Sequence, residues 1–416
     1  MAAVGMVLWV PNSLAAEEDL EQQVQELIKQ NQALTERLMQ VEYQLREMKA
    51  AEETGHGAAE EPGHGMAESL LGHIEDTIHI HGLLEFGAAY HSTDMNEGYK
   101  GYRQDSDLSM TSVEVGIGAQ VNDWVRAETI LIYEDPSGAI DLYDGIREET
   151  NFDVEEAIIT IANPEVTPAF LKAGKMFVPF GAYLTHFPDD MGIDSPLTLL
   201  MGETNEKALL IGAEYSGITF CGYVFNGDVE EMGDGDNVIE TYGFDANYAY
   251  ECDDHDMDLL VGASYISNLT DSDWIEESLH HHNLEIDDYG AGTAAYFHIS
   301  CQGVFFDAEY MALIDSVKIY DAEMYEGKIN NSEVWNFELG YNYNWWRNLE
   351  IALQYAGSND CDLLGFPRDR YGINFNQEVF ENTILSVGYL YDEYDGEDSL
   401  KRNTRDLAFG QLAVTF

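Results

Sequence analysis

A chain of 416 residues that carries 78 Asp and Glu against 19 Lys and Arg, for a formal charge of −59, repels polyanions, which excludes nucleic acid as a partner. The same field attracts cations or serves as a solvated acidic surface. Beyond the N-terminus no run reaches the ~18 apolar residues of a membrane-spanning helix, so a closed barrel is the remaining way to cross a bilayer.

Residues 1–16 are apolar and end in Ser13-Leu14-Ala15-Ala16, small residues of the kind that precede a signal-peptidase cut. A positive n-region is missing, which leads us to expect a true start further upstream. Over 17–50 the residues Leu20, Val24, Leu27, Asn31, Leu34, Leu38, Val41, Leu45 and Met48 step by four and three, the seam of an α-helical coiled coil. A buried Asn31 would fix register and oligomer state, so a homo-oligomer is expected, with a trimer as the guess from architecture. The alternative is a single amphipathic helix lying on another surface. Residues 51–74 are rich in Gly, Ala, Glu and His and include Pro62, the composition of a flexible linker. His56, His64 and His73 are irregularly spaced there, which favours solvated side chains over metal ligands.

From residue 75 onward the apolar period becomes two. Ile78, Ile80, Leu84, Phe86, Ala88 and Tyr90 alternate with His79, His81, Glu85 and Gly87, so one face meets lipid and the other water. The pattern recurs to the closing Ala408-Gly410-Leu412-Val414-Phe416. It predicts about sixteen antiparallel strands, with short turns alternating with long acidic loops, as in barrels with periplasmic turns and extracellular loops. Strand parity turns Glu85, Glu114, Glu128, Glu214, Asp245, Asp307, Glu309, Glu338 and Glu350 inward, with Arg126 as the clear inward base and His79, His81 and His298 as titratable companions. Such pore-lining carboxylates favour cations or simply solvate the wall.

The longest loop, Gly181 to Lys207, carries Leu184, Phe187, Ile193, Leu197, Leu199 and Leu200, a costly patch if exposed. Folding into the lumen would bury them and make His186, Asp189, Asp190, Asp194 and Glu203 a constriction. Capping the barrel from outside is the alternative. Cys252 and Cys301 are expected on adjacent strands at the same end of one hairpin, so a bridge and two separate thiols are both open. His280-His281-His282 is a loop triplet with a minor claim on a metal. No G-x-S-x-G run is present, and an enzyme is not expected.

The segment Gly174-Lys175-Met176-Phe177-Val178-Pro179-Phe180-Gly181, with Thr185-His186, Asp194-Ser195-Pro196-Leu197-Thr198 and Gly202-Glu203-Thr204, resembles the LbtU-type siderophore porins. That family also joins a coiled coil to a barrel. The resemblance implies uptake of a ferric siderophore without a globular plug. Many ferric siderophores are anionic, which an acidic lumen disfavours. The fold expected is thus an all-β transmembrane barrel preceded by a coiled coil: a bacterial outer-membrane porin passing small solutes or cations, with the helix in the periplasm and no cofactor. The competing reading is a coiled-coil tether that the barrel only anchors.

Overall fold

A computed structural model describes residues 77–95, 102–134, 151–188, 195–229, 231–232, 238–281, 284–321, 324–329, 331–343, 347–361, 364–395 and 402–416. The expected signal segment, the heptad seam from Leu20 to Met48 and the linker all lie outside these residues, as do Asp189, Asp190 and Asp194.

Nineteen strands are described. In the first half they are β1 (Ile78–Met95), β2 (Tyr102–Gln120), β3 (Val125–Glu134), β4 (Asn151–Ala162), β5 (Ala169–Phe177), β6 (Asn205–Tyr215), β7 (Ile218–Phe225), β8 (Thr241–Cys252) and β9 (Met257–Ile266). The second half holds β10 (Leu284–Ile286), β11 (Gly292–Cys301), β12 (Val304–Leu313), β13 (Val317–Asp321), β14 (Met324–Ile329), β15 (Glu333–Tyr343), β16 (Leu349–Asn359), β17 (Asp369–Phe380), β18 (Thr383–Glu393) and β19 (Arg402–Thr415). All but β10, β13 and β14 close into one sixteen-stranded barrel of sequential neighbours, β1 meeting β19. The pairs are antiparallel, and the last residue seals the ring: Gly82 N donates to Phe416 O at 2.9 Å and Phe416 N to Gly82 O at 3.1 Å.

Burial along the strands is inverted relative to a water-soluble sandwich. Outward positions are apolar yet exposed, with Ile211 at 64%, Ile159 at 53% and Leu353 at 50%. Inward positions are polar and covered. In β12 the outward Val304, Phe306 and Tyr310 alternate with the inward Phe305, Asp307 and Glu309. An apolar belt of this kind is stable against lipid, not water.

The connections alternate as the sequence predicts. Ser216-Gly217 joins β6 to β7 with φ of 54° and 82°, and Gln302-Gly303 joins β11 to β12 with 52° and 83°. Two consecutive positive φ values are the signature of the tight hairpin turn whose twist matches the strands. At Gly217 any Cβ would lie 2.2 Å from the Ala249 carbonyl oxygen, so glycine is required there.

The loops at the opposite end carry structure of their own. β10, β13 and β14 form a small antiparallel sheet. A helix within the β9–β11 loop, Asp273–His281, adds the buried Ile275 and Leu279. Enough apolar side chains gather in these long loops to form a packed cap. The β5–β6 loop also differs in its bounds, because Glu206 and Lys207 already belong to β6. It holds a short helix, α1 (Leu197–Gly202), and we call the helix in the cap α2 (Asp273–His281).

Candidate functional site

The β5–β6 loop turns into the barrel and is fastened to the wall made by β12, β15, β16 and β17. Its first anchor is Gly181, whose N–H donates to Ser264 Oγ at 3.0 Å. Ser264 is held in turn by Asp245, which also accepts from Tyr296 Oη at 2.8 Å. Gly181 has φ of 84°, and a Cβ there would lie 2.2 Å from Met311 Cε, so a larger residue would push the loop off its wall.

Glu309 is the second anchor. Its Oε1 accepts from the N–H groups of Ala182 (2.6 Å) and Tyr183 (3.1 Å), and its Oε2 from Thr198 Oγ1 (2.6 Å). One carboxylate thereby joins the descending leg to α1. Glu338 is the third, accepting from Thr185 Oγ1 and His186 N, both at 2.7 Å. Bonds from backbone N–H groups to an ionised acceptor are among the stronger hydrogen bonds in proteins.

The fourth anchor is His186. Its ring stacks on Phe305 with centroids 3.6 Å apart and planes 14° from parallel. Nε2 lies 3.0 Å from Asp307 Oδ2 and Nδ1 lies 2.8 Å from Glu350 Oε1. Only an imidazolium can donate from both nitrogens. Burial opposes that charge, but the bonds to Asp307 and Glu350 prevail and raise the His186 pKa from 6.5 to about 10. Asp307 also meets His298 Nδ1 at 2.5 Å. Asp307 and Glu338 stand directly opposite each other on β12 and β15, a repulsive pair of carboxylates that the loop's donors offset. The main chain of the tip is held as well: Asn374 and Asn376 each donate to His186 O at 2.8 Å, and Asn336 donates to Leu184 O at 2.9 Å.

Under the loop, Phe180, Leu197 and Met201 are fully buried beside Met311, Val334 and Ala352. Phe187 and Leu200 are buried too, while Leu184 and Leu199 are half-buried. The buried apolar residues of the loop pack in one cluster with inward side chains of the barrel wall. Ile193 lies outside the described residues.

All ten residues read as pore-lining stand on inward parity. Glu85, Glu114, Arg126 and Glu128 belong to β1–β3, with Ser112 Oγ donating to Glu114 at 3.2 Å and Arg126 paired to Glu128. Glu214 lies near the β6–β7 turn and Asp245 on β8. Asp307, Glu309, Glu338 and Glu350 form the anchoring wall. The physical role of four of them differs from the expectation. Asp245 is 3% exposed, and Asp307, Glu309 and Glu338 are 1% exposed, because the loop covers them. They hold the constriction in place and do not face open water. Of the expected constriction residues, His186 is an anchor. Glu203 ends α1, where its N–H donates to Leu199 O and its C=O accepts from Asp273 N, both at 2.8 Å.

Two readings are corrected. Arg126 is not the sole clear inward base. Arg370, Asp392 and Arg405 form one direct cross-strand row over β17, β18 and β19, and both arginines are fully buried. Parity alone would have found them, since Tyr371, Ile373 and Phe375 face out. Cys252 and Cys301 are not on adjacent strands. Both register against Met257 of β9, which lies between them, so they sit two strand spacings apart, about 10 Å, beyond the reach of a disulfide. All four cysteines are free thiols. His280 lies 3.7 Å from Glu276, and His282 is outside the described residues.

The cap over the barrel contains a pH-sensitive carboxyl. Asp271, 1% exposed, accepts from Thr241 Oγ1 (3.0 Å), Asn268 Nδ2 (2.9 Å) and Val229 N (3.3 Å). Burial pushes its pKa from 3.8 to about 7. A raised acid favours folding in its neutral form, so its charge costs stability fully above about pH 7, and that cost fades as pH falls to the unfolded value. Asp271→Asn is expected to raise the unfolding midpoint by about 1 kcal/mol at pH 8 and not at pH 4. A fall at pH 8 would mean that the three donors need the carboxylate.

No protein-family model matches the chain. Among curated sequences it is similar to a UPF0422 protein of Coxiella burnetii, 26% identical over 315 residues, covering 75% of this chain and 63% of that one. A UPF0422 protein of Legionella pneumophila is 22% identical over 326 residues, with 74% and 58% covered. The chain therefore spans less than two thirds of the length of these relatives. Among solved structures it resembles OprB of Pseudomonas putida (TM-score 0.56, 10% identity, 85% of this chain and 97% of that one). The Salmonella typhi OmpF complex with daunomycin gives 0.51 at 13% identity (82% and 97%), and the outer membrane channel DcaP of Acinetobacter baumannii 0.50 at 13% (82% and 97%). At such identities the likeness is one of fold: a closed antiparallel barrel of the outer-membrane porin kind.

Proposed function

We propose that this chain is an outer-membrane porin that passes small hydrophilic solutes through a lumen narrowed by the β5–β6 loop. The observation that carries the reading is the loop itself, pinned across the interior by Asp307, Glu309, Glu338 and Glu350. A barrel serving only as an anchor has no need of an internal constriction fastened at Gly181, by Glu309, by Glu338 and through His186. The porin-like fold supports the same reading, under which the short turns face the periplasm and a homo-oligomer is the working assembly.

The solute is a finer matter. The inward carboxylates outside the loop's anchors, Glu85, Glu114, Glu128 and Glu214, favour cations over anions by simple Coulomb attraction. A ferric siderophore is the cargo that the sequence resemblance implies. Planar-bilayer conductance in a potassium chloride gradient tests both. A cation-selective current is expected, and its reduction by one ferric siderophore would support uptake of that ligand. Absence of current under every condition would favour the tether.

A further inference from the structure

Below the loop, on the side of the short turns, lies a cavity of about 590 Å³ bounded by β15–β19 and β1. That volume lies within the range of small-molecule sites. Its lining is unusual for so acidic a chain, because six of its side chains are neutral amides: Asn342, Asn348, Asn376, Gln377, Asn382 and Gln411. Three carboxylates also line it, Glu85, Glu350 and Glu378, and the latter two are engaged by neighbouring side chains. Glu350 is bonded to His186 and to Asn376 Nδ2 (3.0 Å), and Glu378 accepts from Asn348 Nδ2 at 2.8 Å. Asn376 is fixed on all sides, its Oδ1 accepting from Asn374 Nδ2 (2.8 Å) and Ser386 Oγ (2.7 Å). Two of the amides carry atoms without a hydrogen-bond partner among the described residues: the donor Nε2 of Gln411 and the acceptor Oδ1 of Asn342. Phe187 and Pro188 of the loop supply an apolar ceiling.

From this lining we infer that the cavity is a binding subsite for an uncharged, polyhydroxylated solute of the saccharide class. The inference rests on the porin reading. Amides offer donors and acceptors together without net charge, which matches a ring whose hydroxyls do both. An apolar solute would strand the amides unpaired. A small cation would gain little from Glu350 and Glu378, which are already bonded to His186 and Asn348, and would leave the six amides without a role. A pyranose presents C–H faces as well as hydroxyls, which suits the aromatic and proline ceiling.

The test is single-channel recording in potassium chloride with maltose added on the turn side, for the full chain and for Gln411→Leu and Gln411→Glu. Maltose should block the current saturably. Measured against each variant's own current, the half-blocking concentration should rise about fivefold when the Gln411 donor is removed, as expected for one neutral hydrogen bond. Gln411→Glu preserves the size and removes the donor, so it reports even where Gln411→Leu fails to assemble. A current that maltose lowers only in proportion to concentration, or a block that the assembled variants leave unchanged, overturns the subsite while the porin reading stands. Absence of current in the full chain overturns both.

Discussion

Asp392→Ala is expected to be among the most damaging single substitutions in the barrel wall, costing about 3–5 kcal/mol of folding stability. Asp392 stands between Arg370 and Arg405 in one cross-strand row. Its Oδ1 lies 2.7 Å from Arg370 Nε, and its Oδ2 lies 3.0 Å from Arg370 Nη2 and 2.6 Å from Arg405 Nη2. Tyr394 Oη donates to the same oxygen at 3.3 Å. Neither arginine reaches solvent, with exposures of 0% and 1%. Removing the carboxylate leaves two guanidinium groups facing each other in a low-dielectric wall, and each loses its charge-assisted bonds. Arg402 adds to the positive charge nearby, stacked 4.0 Å over the Tyr394 ring. The measurement is equilibrium unfolding of the refolded barrel in detergent. A loss under about 1 kcal/mol would show that the arginines relax to water, and that the row is not structural.

That row also marks where sequence reading stops. Period-two alternation is legible because lipid and water impose opposite demands on successive residues. It was enough to foresee a barrel of about sixteen strands and a loop after the fifth strand that needs an interior to bury Phe187, Leu197 and Leu200. Parity, however, gives a direction and not an environment. It cannot tell that Glu309 and Glu338 lie beneath a loop more than a hundred residues away in the chain, so buried anchors looked like open pore wall. The sheet of β10, β13 and β14 escaped for a different reason. Its strands are short, and β10 reaches β13 from a separate loop, so no sustained alternation announces them. The cysteine pair failed on connectivity: Cys252 and Cys301 lie at the same end of the barrel, but Met257 of β9 stands between them.

His186→Ala should release the constriction. The substitution strands Asp307 and Glu350 without their shared donor and removes the ring stacked on Phe305. With the histidine side chain only 21% exposed, the loss belongs with broken buried pairs, about 3–5 kcal/mol. That figure applies to the loop's attachment, not to the sixteen-stranded ladder, so the barrel should stay folded while the loop detaches. Larger and noisier single-channel currents are the expected record, together with new protease cleavage between β5 and β6. The wild-type protein should show the same change with pH. The folded pKa of His186 is raised from 6.5 to about 10, so its contribution is complete below about 6.5, declines above it, and is lost as pH passes about 10. The groups facing the imidazole are Asp307 and Glu350 at its two nitrogens and Glu338 at its backbone N–H, and His298 shares Asp307. Alkaline titration should therefore raise the conductance of the wild type between these limits and leave His186→Ala nearly flat. An equal response in both proteins would locate the titrating group elsewhere. A wild-type current independent of pH across this window would mean that the neutral imidazole holds the loop as well as the cation does, and that the charge of His186 adds nothing to the anchors at Ser264, Glu309 and Glu338.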